Sequence, residues 1–152
     1  MDAGTIKLGY NIEMITKDVV TGEVKDRSEI KNMIVNTGLA RVAKLLNGVE
    51  TTYMRAIAIG TGNTAVTATD TELDVEVTRA TATLTYSAVG GFKAVFSKVF
   101  TFTSGESYTI KEVGVFDSLI TSSATMFNRA LDTGKIVDVD TSLTINVTIT
   151  CA

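Results

Sequence analysis

Residues 57–65 read IAIGTGNTA, a short apolar stretch running into two glycines. The stretch from Gly60 to Ala65 fits G-x-G-x-x-G/A, in which a glycine-rich turn after a strand holds a dinucleotide pyrophosphate at a helix N-terminus. That chemistry makes three demands. The last small residue must open a helix, a second parallel strand must come next, and an acidic residue must end that strand. After Ala65 the chain continues Val66-Thr67-Ala68-Thr69-Asp70-Thr71, β-branched and polar with no 3.6-residue period. The Gly-Lys-Ser/Thr of a P-loop is also missing. The expectation is a surface loop closing a strand over 54–59, with the glycines making a turn and no nucleotide or other cofactor bound.

A second candidate is acidic. Asp70, Glu72, Asp74 and Glu76 fall two apart, so an extended chain would put all four carboxylates on one face. There they could hold a cation or act as an acid/base pair. The same alternation, with Leu73, Val75 and Val77 between them, also gives a plain solvated strand face. Asp138-Val139-Asp140-Thr141-Ser142 begins like a calcium loop but lacks its glycine and closing glutamate. Histidine is absent, which removes the commonest general acid/base and the commonest metal ligand. Cys151 is the sole cysteine, so it has no internal disulfide partner, and it reads as a packed or frayed end. Arg129, within Met126-Phe127-Asn128-Arg129-Ala130, reads as an ion-pair or rim residue. No catalytic, cofactor or metal residue is expected.

The elements that must position these residues are mostly strands. Apolar and polar residues alternate from Ile6 to Met14, Thr21-Gly22 marks a turn, and 30–35 reads as the returning strand. The period then changes. Leu39, Val42, Ala43 and Leu46 mark one face of a helix over 39–47, with Asn36 or Thr37 as cap and Gly48 in the left-handed position after its end. Burial of Leu39, Val42 and Leu46 is expected, so that Leu46→Ala would cost about 2–5 kcal/mol. Period two returns through Leu73, Val75 and Val77, then through Ala80, Ala82, Leu84 and Tyr86 up to the break at Gly90-Gly91. Phe92, Ala94 and Phe96 continue it, and Phe100 and Phe102 resume past Lys98, which marks a bulge, an edge or a rim. A turn at Ser104-Gly105-Glu106 precedes a strand over 108–116, and a long alternation runs from 137 to 149. About eight strands and one short α-helix make this a mainly β chain, an antiparallel β-sandwich or barrel.

The chain has 152 residues, enough for one domain over 1–152 with a real core. Hydrophobic residues make up 45% and the formal net charge is −3, which gives no basic patch for nucleic acid. No apolar run reaches the roughly 18 residues of a membrane span. The first residues lack the charged and apolar regions of a secretory signal, so synthesis in a reducing compartment is expected.

Taken in order, the motifs IAIGTG (57–62), TDTEL (69–73), Glu76 with Arg79, TIKEVGVFD (109–117) and MFNRA (126–130) form a pattern. Preceded by Asn36-Thr37-Gly38 and a short helix, it resembles a group of small tailed-bacteriophage virion proteins over about 36–149. The resemblance implies a β-sandwich module that assembles on capsids, tails or fibres, with no catalytic residues to carry over. It also implies assembly in the host bacterial cytoplasm and a final place in the virion.

Two function classes remain. In the first, the chain is a virion structural protein, foremost a capsid decoration (auxiliary or cement) protein that docks in many copies on the major capsid protein, singly or as a homo-oligomer. A tail, baseplate or fibre component is the alternative. In the second, the acidic row serves a carbohydrate-binding module or hydrolase, although the absence of tryptophan removes the usual sugar platform. Docking would fall to two segments. One is an N-terminal arm within 1–9, comprising Met1, Asp2, Ala3, Gly4, Thr5, Ile6 and Lys7, which could add a strand to a neighbouring sheet. The other is the polar loop 61–70, led by Thr61, Gly62, Asn63 and Thr64, which could adapt to a shell surface.

Overall fold

Among the described residues the chain forms ten strands, most of them where the sequence has period two, and one helix where the period is helical. The computed structural model describes Gly4 and residues 6–152. In chain order the elements are β1 (Leu8–Asp18), β2 (Val24–Ile30), β3 (Met33–Ile34), α1 (Asn36–Leu46), β4 (Ala56–Gly60), β5 (Glu76–Thr81) and β6 (Thr83–Ser87). They continue with β7 (Phe92–Phe100), β8 (Ser107–Phe116), β9 (Met126–Asp138) and β10 (Thr141–Cys151).

All pairings are antiparallel, and the long ladders fall into two runs. The first is β2-β1-β10-β7-β6 and the second is β3-β9-β8-β4-β5. A single pair, Asp138 with Thr141 at the β9–β10 hairpin, joins them. β10 shows why they pack. Leu143, Ile145, Val147 and Ile149 are buried on alternate positions, and they share one core with Ile57, Ile59, Ile110, Val113 and Val115 of the second run. The mainly β, sandwich-like architecture expected from the alternation is what forms.

The second run is buried on both faces near β4, whose five residues are all buried. Ile57 and Ile59 point into the main core. Ala56 and Ala58 point the other way, into a smaller cluster with Val35, Leu73, Phe116 and Met126. The loop between β4 and β5 lies over this outer face.

Three local expectations are corrected. The returning strand begins earlier, as β2, and residues 33–34 belong to the other run as β3. β2 carries Lys25, Asp26, Arg27 and Glu29 because it is an exposed edge, where charge blocks unwanted pairing and erases the alternation. Residues 70–75 form no strand: β5 starts at Glu76, Leu73 is buried and Val75 is exposed. Of the bulge, edge or rim expected at Lys98, the unbroken ladder opposite Ile145 excludes the bulge, and the half-buried side chain marks a rim. The helix is turned the other way round from its leucines. Gly38 and Arg41 are its buried residues, while Leu39 is 51% and Leu46 79% exposed. A Cβ on Gly38 would stand 2.2 Å from the Phe127 carbonyl oxygen, so backbone contact with β9 fixes the helix rotation. Val42 alone of the expected apolar face packs on the core. Val35 is the N-cap residue and makes no side-chain cap, and the Thr37 hydroxyl donates to the Met126 carbonyl instead. Gly48 does take the left-handed conformation beyond the helix, at φ +74°.

Candidate functional site

The glycines of the opening motif approach an internal carboxylate. Gly60 ends β4 opposite Glu112 of β8, and neither Gly60 nor Gly62 has positive φ. Close approach is what requires glycine here. A Cβ on Gly60 would meet the Val75 carbonyl oxygen at 2.3 Å and Glu112 Oε1 at 2.5 Å, and one on Gly62 would meet Asp74 Cβ at 2.4 Å. The expected glycine turn is thus corrected to a tight seat. Its N–H groups do what such motifs do for phosphate, but the anion is Glu112. Glu112 Oε1 accepts from Gly62 N (3.1 Å) and Val75 N (2.7 Å), and Oε2 accepts from Asp74 N (2.9 Å).

Arg129 completes the arrangement from β9. It stands opposite Gly114, diagonal to Glu112 on the same face of the β8–β9 pair. Its Nε donates to Glu112 Oε2 (3.0 Å), Nη1 to Asp70 Oδ2 (3.0 Å) and Nη2 to Thr64 Oγ1 (3.2 Å). The side chain of Arg129 is 2% exposed and that of Glu112 is wholly buried. Burial works to raise the Asp70 pKa, but the Thr67 N–H and Arg129 outweigh it and hold the carboxyl below its ordinary value. Burial likewise works to lower the Arg129 pKa, and Asp70 and Glu112 outweigh it and hold it above.

This geometry takes the acidic row apart. Asp70 is bound by Arg129 and Glu76 by Arg79, while Glu72 and Asp74 are exposed. Arg79 grips Glu76 through Nε (2.8 Å) and Nη2 (2.6 Å), donates Nη1 to the Ser118 carbonyl, and stacks over the Phe116 ring at 4.0 Å. Glu72, Glu76 and Arg79 border a shallow hollow of about 510 Å3 with Thr71, Thr121 and Ser122. Among the described residues, no three acidic or cysteine side chains converge to hold a metal ion. Asp138 and Asp140 form the β9–β10 hairpin turn, where Asp138 Oδ1 accepts from Asp140 N. Cys151 is exposed at the end of β10.

Two further buried ion pairs escaped sequence reasoning. Arg41 of α1 reaches Asp117 (2.9 Å), the Thr52 carbonyl and the Thr125 hydroxyl. Lys135 meets Asp132 (2.9 Å), which also accepts from the Ser28 hydroxyl (2.6 Å) and Gly134 N. Ser28 stands three residues before Lys31, the Ser-x-x-Lys spacing of some serine nucleophiles. Ser28 lies in β2 with Lys31 just beyond it, and on a strand residues three apart point to opposite faces.

The expected docking residues fall in different settings. Met1, Asp2, Ala3 and Thr5 lie outside the described residues. Gly4 and Ile6 are exposed, whereas Lys7 exchanges two backbone hydrogen bonds with Ala152, so the ladder begins within the segment read as an arm. In the loop, Asn63 and Thr64 are exposed, Thr61 is half-buried with its N–H on the Val75 carbonyl, and Gly62 is buried against Glu112. The loop read as adaptable is therefore tethered along its length.

The chain matches no protein-family model, no curated protein and no solved structure.

Proposed function

We propose that the chain is a non-enzymatic structural protein of a tailed-bacteriophage virion, docking in many copies on the capsid shell as a decoration protein. One observation carries this reading. Of the residues that bear the resemblance, Gly62, Asp70, Glu112 and Arg129 are bound to one another and Glu76 is bound to Arg79, which suits a module whose polar residues hold its shape. Its partner is the major capsid protein, and its place is the virion, assembled in the host cytoplasm. Weak individual docking suffices, because lattice repetition raises the effective concentration of each site. The contact falls to residues 1–7, which end in the exposed Ile6 and the start of the ladder, and to the exposed tip at Asn63 and Thr64.

Co-sedimentation with undecorated capsids of the phage that encodes the chain tests this. The full chain pellets with capsids, and a chain lacking residues 1–7 stays folded by circular dichroism but stays in the supernatant. Binding to isolated tails in place of capsids selects the tail, baseplate or fibre reading. Binding to neither rejects the virion reading.

A further inference from the structure

The core face of the first run continues past the layer that covers it. Register sets Ile12, Val147, Phe96 and Leu84 in one row across β1, β10, β7 and β6. Ile12 and Val147 are wholly buried, Phe96 nearly so, and Leu84 is 43% exposed. The next row, Tyr10, Ile149, Ala94 and Tyr86, ends with Tyr86 at 69%. At that end the sandwich stands open as a groove of about 460 Å3, lined by Leu45, Tyr53, Leu84, Tyr86, Phe96 and Phe127 among others, with no charged side chain.

Among the described residues β6 is also an edge, paired only with β7. The other edge of the same run, β2, is guarded by four charged residues, and β5 carries Glu76 and Arg79. From Ala80 to Phe92 there is no charged residue and no proline. An unguarded edge presents a row of backbone donors and acceptors that only another strand satisfies.

We propose that β6 is the seam of a two-fold homodimer, pairing antiparallel with β6 of a second copy. Full overlap of Thr83–Ser87 puts Thr85 on the axis and Leu84 beside Tyr86 of the other copy. Both core rows then run on into the second molecule, and the two grooves close against each other. Two copies of a chain with net charge −3 repel least where they meet through an uncharged surface, and this edge is such a surface. A two-fold contact needs only one self-complementary patch, which β6 supplies. The inference stands independently of the virion reading.

Sedimentation equilibrium of the full chain tests it. The wild-type chain is a dimer. Tyr86→Lys, at an exposed position, keeps its circular dichroism and weakens dimerisation by about tenfold or more, because each new ammonium is pressed against Leu84 of the other copy in a desolvated seam with no counter-charge. Val20→Lys, in the β1–β2 turn, leaves the dimer intact. Thr85→Cys in a Cys151→Ser background forms a disulfide-linked dimer on oxidation. A wild-type chain that stays monomeric at all concentrations overturns the proposal and leaves the edge to a different chain. A dimer that survives Tyr86→Lys, or a Thr85→Cys chain that does not cross-link, overturns it too.

Discussion

Arg129→Met removes the guanidinium beneath the 61–75 loop while leaving an unbranched stem to fill the space. Lost with it are hydrogen bonds to Glu112, Asp70 and Thr64, in a place where the arginine side chain is 2% exposed. Removing one partner of a buried ion pair costs about 3–5 kcal/mol, because the other charge stays behind uncompensated. Glu112 keeps three backbone donors, from Gly62, Asp74 and Val75, which holds the loss within that range. Domains are stable by about 5–15 kcal/mol, so this loss is a large share. At about 2–4 °C per kcal/mol for a chain this size, the midpoint falls by about 6–20 °C. Glu112→Ala is worse. It leaves Arg129 with Asp70 alone as counter-charge and three donors without their acceptor, each costing about 1–3 kcal/mol where buried. The double variant recovers part of the loss, since no unpaired charge then remains in the pair. Urea titration followed by circular dichroism gives all three values. An Arg129→Met chain within about 0.5 kcal/mol of wild type, the range of an ordinary surface change, refutes the claim that this network holds the loop.

Gly38→Ala is strongly destabilising, by about 1–3 kcal/mol or more, because its Cβ would collide with the Phe127 carbonyl, whereas Leu46→Ala falls within about 0.5 kcal/mol of wild type. Thermal melts of the two variants reverse in order if the helix is buried through its leucines. Asp70 and Asp132 are both held below their ordinary pKa; for each, burial opposes the shift, and hydrogen bonds from Thr67 and Arg129, or from Ser28, Lys135 and Gly134, outweigh it. A depressed carboxyl stabilises fully above its unfolded value near 3.9, and that contribution is lost as pH falls through the lower folded value. Stability therefore declines on acidification below about pH 4, and Asp70→Asn flattens the decline; an unchanged slope contradicts the pairing. Equilibrium dialysis with NAD or ATP shows no retention, since Glu112 already occupies the N–H groups near Gly62; saturable binding abolished by Gly62→Val reverses that assignment.

Strands with one covered face were legible. β10 alternates without interruption because one face meets the core and the other does not. β2 was illegible because an exposed edge is selected for charge; β4 was read as a strand over 54–59, but so short a stretch did not show that both of its faces are covered. The helix misled because Leu39 and Leu46 have the right spacing, while a glycine contact and the bonds of Arg41 set the rotation. The acidic row misled because alternation over 70–76 looks like a strand, although the backbone there is spent on Glu112. Arg129 was recognised as an ion-pair residue, but its partners were beyond local reading: Asp70 lies 59 residues away, and Gly62 lies 50 from Glu112. One signal was present. In Glu112-Val113-Gly114-Val115-Phe116 the alternation lapses, which places Glu112 in a strand covered on both faces.

The virion assignment is tested most directly by locating the chain on particles. The proposed assignment makes the gene a phage gene, so purified virions of that phage, labelled with a gold-conjugated antibody raised against the chain, are imaged in negative stain. A decoration protein gives label distributed over the shell at many sites per particle. Label confined to the tail contradicts the decoration assignment, and intact particles without label contradict the virion assignment itself.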